Sequence, residues 1–142
     1  KQKMVEKIVG NMGSVENKVI TVLGLSFKPE TDDMRDAPSI DIIRGLVKNG
    51  ARIKAYCPEG IKEAKWRLKD IEESIEYCDN EYIAVKDADA TVIITEWNQF
   101  RGISLSKVKD LMKGNYLFDL RNIYSKSSEV KKIFNYYGVG KG

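Results

Sequence analysis

Three short apolar runs constrain the fold of this chain more than any other feature. They read VITVL at residues 19–23, TVIIT at 91–95 and YLFDL at 116–120. Runs so rich in β-branched and aromatic residues are typical of strands that are covered on both faces. Segments with helical periodicity separate them, and strands that alternate with helices form parallel sheets. We therefore predict an α/β fold, a three-layer Rossmann-like open parallel sheet with helices on both faces.

Local capping and periodicity signals predict the individual elements. Strands are expected at residues 18–26, 52–56, 91–95 and 116–120. Helices are expected at residues 4–9, 40–48, 61–76, 104–112 and 128–136, followed by a frayed tail at 138–142. Residues 82–85 are ambiguous between a short strand and an extended entry to a short helix over 85–89. Short strands thus alternate with helices along most of the chain, as a parallel sheet requires.

Two helices have alternative starting points. Pro38 suits the first turn of the second helix, because its missing N–H would be unpaired there in any case. Asp36 is the preferred N-cap of this helix and Ala37 is the competing boundary. The last helix is expected to be capped by Ser127 or Ser128, both of which carry a hydroxyl that can accept a backbone N–H.

Composition narrows the class of protein. The chain has 142 residues, enough for one domain with a sizeable core, and a net charge of +3 from interspersed acidic and basic residues. This charge is too small and too mixed to favour nucleic acid as a partner, and no apolar stretch is long enough to cross a bilayer. The start shows no signal-peptide pattern, so we expect a cytoplasmic location. Because the chain begins with Lys1 rather than Met, we expect a fragment of a longer protein.

The absence of histidine limits the possible chemistry. It excludes Ser-His-Asp triads, His-ligated zinc and His general bases. The two cysteines, Cys57 and Cys78, match no metal-ligand spacing, and we interpret them as unpaired thiols in a reducing compartment. A disulfide or a reactive thiol is the alternative. No metal site is therefore predicted.

Three polar segments mark a candidate binding site. Residues 27–35 follow the first strand, residues 96–100 follow the strand at 91–95, and residues 119–122 end the strand at 116–120. Because the carboxyl ends of parallel strands lie at one edge of the sheet, we expect these segments to converge where open α/β sheets bind ligands. Lys28 and Arg35 lie in the first segment, before a helix N-terminus, and this placement favours an anionic ligand.

A complete dinucleotide site is not expected. The turn after the first strand of such a site reads G-x-G-x-x-G, whereas Gly24 is followed here by Ser26 and Phe27 in a longer loop. Cys57 stands where an acidic residue would end the second strand and bind a ribose. The sequence therefore predicts a Rossmann-like sheet that does not hold NAD alone.

The loop after the first strand also carries a family signature. Residues 24–38 read GLSFKPETDDMRDAP, which resembles the G-L-x-F-K-P-x-T-D-D-x-R-x-x-P signature of the UDP-glucose and GDP-mannose 6-dehydrogenase family. Residues 88–100 and 118–122 agree with later motifs of that family in the same order. The chain resembles the C-terminal, UDP-binding domain of these nucleotide-sugar dehydrogenases over about residues 1–125.

The resemblance implies a parent enzyme with three parts. An N-terminal Rossmann domain would bind most of the NAD, a central helical domain would form a homodimer or larger assembly, and this domain would close over the UDP-sugar. The parent would oxidise the C6 alcohol of the sugar to a carboxylate in two NAD-dependent steps. Its catalytic cysteine would lie upstream, so the isolated chain is expected to be inactive. Residues 1–16 would then end the interdomain helix and connector, and residues 17–142 would form the nucleotide-sugar-binding domain.

The same resemblance assigns roles to four residues. Phe27 and Lys28 match the Phe-Lys pair that contacts the nucleotide-sugar, and Arg121 matches an arginine at the substrate edge. Arg35 matches the arginine that reaches toward NAD across the domain cleft. No catalytic residue is assigned within the chain. One departure is Asp36-Ala37, where the family commonly has Glu-Ser, so a hydroxyl cap is lost.

Each assignment has a structural alternative that the sequence leaves open. The alternatives are a solvated Lys28, a core Phe27, and ion pairs of Arg35 with Asp32 or Asp33 and of Arg121 with Asp119. Trp97 is expected to anchor its loop, with base stacking or an interdomain contact as the alternative. At the level of function, the chain would be either the binding domain of a UDP-glucose dehydrogenase or a non-catalytic interdomain or oligomer scaffold. The same domain from a UDP-N-acetylmannosamine or GDP-mannose dehydrogenase is a further alternative.

Overall fold

The computed structural model describes residues 2–139. The strands are β1 Val19–Leu23, β2 Arg52–Tyr56, β3 Ile75–Tyr77, β4 Ala90–Ile93, β5 Tyr116–Asp119 and β6 Asn135–Tyr137. The helices are α1 Gln2–Met12, α2 Pro38–Lys48, α3 Ile61–Arg67, α4 Glu81–Val85, α5 Asn98–Arg101, α6 Leu105–Leu111 and α7 Ser128–Ile133. A 3-10 helix over Lys69–Ser74 connects α3 to β3.

The strands form one six-stranded parallel sheet in the order β3-β2-β1-β4-β5-β6. The chain builds outward from β1 in one direction, returns, and builds outward from β4 in the other. Helices α1 and α2 contact each other, whereas α4 contacts α6 and α6 contacts α7. Right-handed crossovers place these two groups on opposite faces of the sheet. The structure confirms the predicted Rossmann-like fold class.

Burial explains the apolar runs in the sequence. All four residues of β4 and four of the five residues of β1 are buried, as expected for central strands covered on both faces. Helix α1 joins the same core through Val5 and Ile8, which are buried. Val5 packs so closely against α2 that a Cβ at Gly45 would lie 2.7 Å from Val5 Cγ2.

Several predicted boundaries are confirmed. The second strand spans Arg52–Tyr56, and Pro38 begins α2 as expected. Ser104 caps α6 by accepting a hydrogen bond from the backbone N–H of Lys107. Ser127, rather than Ser128, caps α7 in the same way.

The prediction that Asp36 caps α2 is wrong. Asp36 has φ of 57°, a left-handed conformation in which the chain turns before the helix begins. Ala37 is the N-cap, and it has no side-chain oxygen to accept a backbone N–H. The Ala37 N–H instead donates to the carbonyl of Met34, which closes the turn.

The long helix predicted for residues 61–76 is also wrong. Helix α3 ends at Arg67, and the 3-10 helix that follows contains a non-helical Ile71 with φ of −121°. Ile75 then enters the sheet, where it pairs with Ile53 of β2. Sheet pairing and burial of Ile75 therefore override the helical periodicity of this charged segment.

Two further segments differ from the predictions. Residues 82–85 lie within α4, because the side chain of Asn80 accepts the backbone N–H of Ile83 and caps a short helix. The last helix ends at Ile133, so Tyr136 and Tyr137 lie in β6 rather than in a helix. Tyr137 stacks on Phe118 of β5 with 5.1 Å between ring centroids, which adds a sixth strand to the sheet.

The start of the predicted frayed tail is held in place. Asn122 donates to the carbonyl of Val139 and accepts from its N–H, and Lys7 Nζ donates to the carbonyl of Gly138. The rest of that tail, residues 140–142, lies outside the described residues. Among residues 2–139, no helix is long and apolar enough to cross a membrane.

Candidate functional site

The three polar segments lie at the carboxyl edge of the sheet, as predicted. They follow β1, β4 and β5, and β1 and β4 are adjacent strands from which the chain runs in opposite directions. A crevice outside the strand ends at such a switch point is where open α/β sheets bind ligands.

Gly24 brings the β1–α2 loop against the end of β4. It has φ of +92°, and a Cβ built on it would lie 2.7 Å from both Cβ and N of Thr95. Only glycine combines this left-handed conformation with so close an approach. Thr95 Oγ1 then donates a 2.6 Å hydrogen bond to the carbonyl of Ser26, which fastens the two loops together.

Ser26 is the centre of a buried hydrogen-bond network. Its hydroxyl donates to the carbonyl of Lys28 at 2.8 Å and accepts from the indole N–H of Trp97 at 3.2 Å. Together with the bond from Thr95, these contacts form what we call the Ser26 network, which comprises Ser26, Lys28, Thr95 and Trp97. Trp97 is buried, so the expectation that it anchors its loop is confirmed.

Phe27 and Lys28 project from this network toward solvent. The Phe27 side chain is 48% exposed, so the alternative in which it is a core residue is wrong. Its backbone N–H donates to the carbonyl of Asp33 at 2.7 Å, which closes the loop behind it. Lys28 is exposed, and its ammonium group makes no hydrogen bond or ion pair with residues 2–139. Both side chains are therefore accessible to a ligand.

Arg35 pairs with Asp33 rather than with Asp32. Its Nε donates to Asp33 Oδ1 at 3.1 Å and its Nη2 donates to Oδ2 at 3.0 Å, although the arginine side chain remains 80% exposed. The hydrogen bonds from Arg35 lower the pKa of Asp33 from its ordinary 3.8 to about 2. The pair lines an open cavity of about 400 Å³ together with Glu63 and Arg67 of α3.

Arg121 pairs with Glu96, so the alternative in which it pairs with Asp119 is wrong. Arg121 donates from Nε at 3.2 Å and from Nη2 at 2.7 Å, both to Glu96 Oε2. Asp119 is buried, and its carboxylate accepts instead from the backbone N–H groups of Ile123 and Tyr124. Asp119 thus holds the turn after β5 and fixes the backbone position of Arg121 within it.

Arg121 also lines a cavity of about 200 Å³ at the switch point. The other lining residues come from α1, α2 and the ends of β4 and β5: Met4, Pro38, Ile42, Ile94 and Leu120. Phe27, Lys28 and Arg35 do not line this cavity. The Ser26 network and the Glu96–Arg121 pair connect the loops that carry Lys28 and Arg121, while Arg35 faces the separate cavity beside α3.

Several site residues were not identified from the sequence. Sequence patterns place Glu96 only in a loop, and they do not single out the buried Ser26 or Arg67 as site residues. Glu96 could have been found from the strand register, because Ile93 pairs with Asp119 and the chains beyond them run side by side. A carboxylate three residues past one strand end then lies near an arginine two residues past the other.

Neither cysteine lies where a reactive thiol would be accessible. Cys57 and Cys78 are both buried and unpaired. Burial is the main cause that raises the pKa of Cys78, to about 11, so its thiolate fraction is very small at neutral pH. Within residues 2–139, no group of three or more Cys, Asp or Glu side chains could hold a metal ion.

Comparison with known proteins identifies the family. Residues 21–126 match the model of the UDP-glucose/GDP-mannose dehydrogenase family, UDP binding domain. The chain belongs to this family. The matched span includes the Ser26 network, the Glu96–Arg121 pair and all four residues that the sequence motifs singled out, namely Phe27, Lys28, Arg35 and Arg121.

Relatives of this UDP-binding domain extend over nearly the whole chain. The UDP-glucose 6-dehydrogenase of Rhizobium meliloti is 42% identical over 142 residues, which cover 99% of this chain and 32% of that protein. The UDP-glucose 6-dehydrogenase TuaD of Bacillus subtilis is 41% identical over 97% of this chain and 29% of its own length. The chain thus spans about a third or less of these curated relatives.

Solved structures agree with this fold. A UDP-glucose dehydrogenase from Pyrobaculum islandicum superposes with a TM-score of 0.78 at 24% identity, covering 97% of this chain and 29% of the archaeal one. The UDP-N-acetyl-mannosamine dehydrogenase Cap5O from Staphylococcus aureus gives a TM-score of 0.71 at 26% identity over 96% of this chain and 29% of that chain.

The resemblance to this family implies NAD, and the fit of this chain to a dinucleotide can be tested at Gly24. The space that a Cβ would occupy there is filled by Thr95, so the turn closes against the protein rather than opening toward a pyrophosphate. Ser26, two residues on, is buried and engaged in its network. The residues of this UDP-binding domain therefore do not fit a whole dinucleotide at the end of β1.

Proposed function

We propose that this chain is the nucleotide-sugar-binding domain of an NAD-dependent UDP-glucose 6-dehydrogenase and that Phe27, Lys28 and Arg121 contact the substrate. The observation that carries the proposal is the continuous set of contacts between the two loops that hold the cations. Ser26 accepts from Trp97, and the neighbouring Glu96 holds Arg121. The loops after β1 and β5 are thereby kept in a defined relation across the end of β4.

The chemistry of these side chains suits a nucleoside diphosphate sugar. Lys28 supplies a compact positive charge and Arg121 supplies a planar set of donors, and both match the charge of a diphosphate. The exposed ring of Phe27 offers an apolar surface for the base or the sugar. The apolar lining of the cavity beside Arg121 favours a group with few charges next to the anionic one.

UDP-glucose is the proposed substrate because the curated relatives described above are named UDP-glucose 6-dehydrogenases. A UDP-N-acetyl-mannosamine dehydrogenase is among the structural neighbours, and so is a GDP-mannose dehydrogenase from Pseudomonas aeruginosa with a TM-score of 0.61. These two sugars are therefore the competing ligands to test.

The rest of the enzyme is proposed to lie outside this chain. Another domain would hold NAD and the catalytic cysteine, with Arg35 reaching toward the cofactor. Residues 1–16 would end the helix that connects to that part, and residues 17–142 would form the binding domain. The whole enzyme would act in the cytoplasm as a homodimer or larger assembly, and the isolated chain would not turn over substrate.

Thermal unfolding of the 142-residue chain with candidate ligands tests the proposal. UDP-glucose, UDP-N-acetylmannosamine, GDP-mannose and NAD would each be added at millimolar concentration. A ligand at about 100 times its Kd stabilises the folded state by roughly 2.7 kcal/mol, which raises Tm by roughly 5–10 °C. We expect this shift with UDP-glucose, and we expect Lys28→Ala and Arg121→Ala to remove most of it.

Matched controls lie at the opposite edge of the sheet. Lys18 precedes β1 and Arg52 begins β2, and both are exposed cations far along their strands from the proposed site. Lys18→Ala and Arg52→Ala should keep the full shift. An unchanged Tm with all nucleotide-sugars would contradict binding by this chain and would favour the scaffold alternative.

A further inference from the structure

Glu96 holds Arg121 in an unusual way. The Nε–H and Nη2–H groups of Arg121 both donate to one oxygen of Glu96, Oε2, at 3.2 Å and 2.7 Å. The other oxygen, Oε1, is buried and has no hydrogen-bond partner among residues 2–139. A buried acceptor without a donor destabilises a fold, so the Glu96–Arg121 pair is poorly suited to stabilise the folded chain as a salt bridge.

A second arginine–carboxylate pair in the same chain shows the difference. Arg44 of α2 donates to both oxygens of Asp70, at 2.8 Å and 2.9 Å, on an exposed surface away from the strand ends. Glu96 is more enclosed, with a side chain 27% exposed. Burial, the largest single cause, acts to raise the pKa of Glu96, but the hydrogen bonds from Arg121, a backbone hydrogen bond and the nearby arginine charges together lower it. The carboxylate is therefore charged at neutral pH and keeps its hold on Arg121.

The contacts with Glu96 occupy only two of the N–H donors of Arg121. A guanidinium has five N–H donors, of which Nε–H and one N–H of Nη2 point at Glu96. The remaining donors make no hydrogen bond within the described part of the chain, and Arg121 lines the cavity at the switch point. Two parallel N–H groups of an arginine suit a phosphate oxygen pair.

We propose that Glu96 is the positioning residue that fixes the guanidinium of Arg121 at the switch-point cavity. The unpaired N–H donors of that guanidinium are then presented to the diphosphate of the ligand. This inference rests on the proposed function. Glu96 does not touch the ligand; it removes the rotational freedom that a lone arginine would lose on binding. Its loss therefore weakens binding through Arg121 and through no other group.

Calorimetric titration with UDP measures this effect on the 142-residue chain. Ordering one long side chain changes affinity by about twofold to tenfold, so Glu96→Ala should weaken UDP binding by that amount. Glu96→Gln, which keeps an acceptor oxygen for Arg121, should retain more of the affinity than Glu96→Ala. In the Arg121→Ala background, Glu96→Ala should change nothing further, because the group through which it acts is gone.

Asp70→Ala is the matched control, since it also removes a carboxylate from an arginine but away from the site. It should leave UDP affinity unchanged. Equal weakening by Glu96→Ala with and without Arg121 would overturn the positioning role while leaving the proposed function intact. No UDP binding by the unmutated chain would overturn the proposed function and this inference together.

A measurement without ligand tests the positioning role of Glu96 separately from the proposed function. The Nε–H of Arg121, hydrogen-bonded to Glu96, should give a resolved ¹⁵N NMR signal that is assigned by its loss in Arg121→Lys. Glu96→Ala should move this signal into the group of freely exchanging arginines, whereas Asp70→Ala should not. A signal unchanged by Glu96→Ala would overturn the positioning role whatever UDP does.

Discussion

Tyr136 and Asp119 are joined by a 2.6 Å hydrogen bond, from the tyrosine hydroxyl to Oδ2 of the carboxylate. They lie on neighbouring strands, β6 and β5, and the same carboxylate accepts the backbone N–H groups of Ile123 and Tyr124. The turn that contains Arg121 is thus held by the buried carboxyl group of Asp119. Burial, followed by the bond to Asp119, raises the pKa of Tyr136.

Removing the carboxylate should strongly destabilise the chain. Asp119→Ala leaves three donors without their acceptor, and each unpaired buried group costs about 1–3 kcal/mol. We expect the free energy of unfolding, measured with urea, to fall by about 3 kcal/mol or more.

Tyr136→Phe should cost less, about 1.5–3 kcal/mol, because only one hydrogen bond to the carboxylate is lost. Tyr137→Phe is its matched control on the same strand, since Tyr137 contributes ring stacking on Phe118, and it should change stability by no more than about 0.5 kcal/mol. Equal losses from the two substitutions would contradict the role given to the Tyr136 hydroxyl.

Two glycine substitutions should have opposite signs. Gly24→Ala would force a Cβ into contact with the backbone of Thr95 at φ of +92°, so we expect a loss of about 2 kcal/mol or more. Gly10 lies within α1, and a Cβ there meets nothing within 4 Å. Gly10→Ala should therefore raise stability by about 0.5–1 kcal/mol. Urea denaturation of both variants checks the pair, and a stable Gly24→Ala protein would contradict the close approach of the loop to β4.

The Asp33–Arg35 pair should be visible in the pH dependence. Because the folded-state pKa of Asp33 is lowered to about 2, its contribution to stability is present above its ordinary 3.8 and is lost as the pH falls toward 2. NMR titration of the Asp33 carboxyl should give a midpoint near 2, and Arg35→Gln should raise that midpoint toward 3.8. Arg44→Gln removes the partner of Asp70 instead, and it should leave the Asp33 midpoint unchanged.

The cysteines should react slowly in the folded chain. A pKa of about 11 leaves Cys78 with a thiolate fraction at pH 8 that is about a hundredfold below that of an ordinary cysteine. Cys57 is also buried, so a thiol reagent should reach neither group until the chain unfolds. Labelling with a chromogenic disulfide, with and without denaturant, measures this. Complete reaction of either thiol within minutes under native conditions would contradict the buried positions of Cys57 and Cys78.

The central sheet was predictable because its residues satisfy local and global preferences together. The continuous apolar runs of β1 and β4 are what burial on both faces demands, and Arg52–Tyr56 is β2 as predicted. The segment after Gly60 was not predictable in the same way. Its charges and periodicity favour a helix through residue 76, whereas pairing of Ile75 with Ile53 pulls its end into the sheet.

The residues of the candidate site lie at the predicted edge of the sheet, and the Arg35–Asp33 pair is one of the two alternatives given, but the partner of Arg121 was not predicted. Sequence order places Lys28, Arg35 and Arg121 at the correct edge, because strand ends of a parallel sheet must share one. It left Asp119 open as an alternative partner of Arg121, because two residues that are two positions apart share one face of a strand. The structure buries Asp119 under its own turn, so Glu96 from the neighbouring strand becomes the partner. Such contacts depend on how loops bend beyond the strands.

The most direct test of the account is an NMR titration of the ¹⁵N-labelled chain with UDP. The proposed site predicts that chemical-shift changes concentrate at the amides of residues 26–28, 95–97 and 120–122, at the carboxyl edge of the sheet. Amides near Lys18 and Arg52, at the opposite edge, should not move. Saturating shifts confined to the predicted residues would support nucleotide binding by this domain, and shifts centred on Lys18 and Arg52 would contradict it.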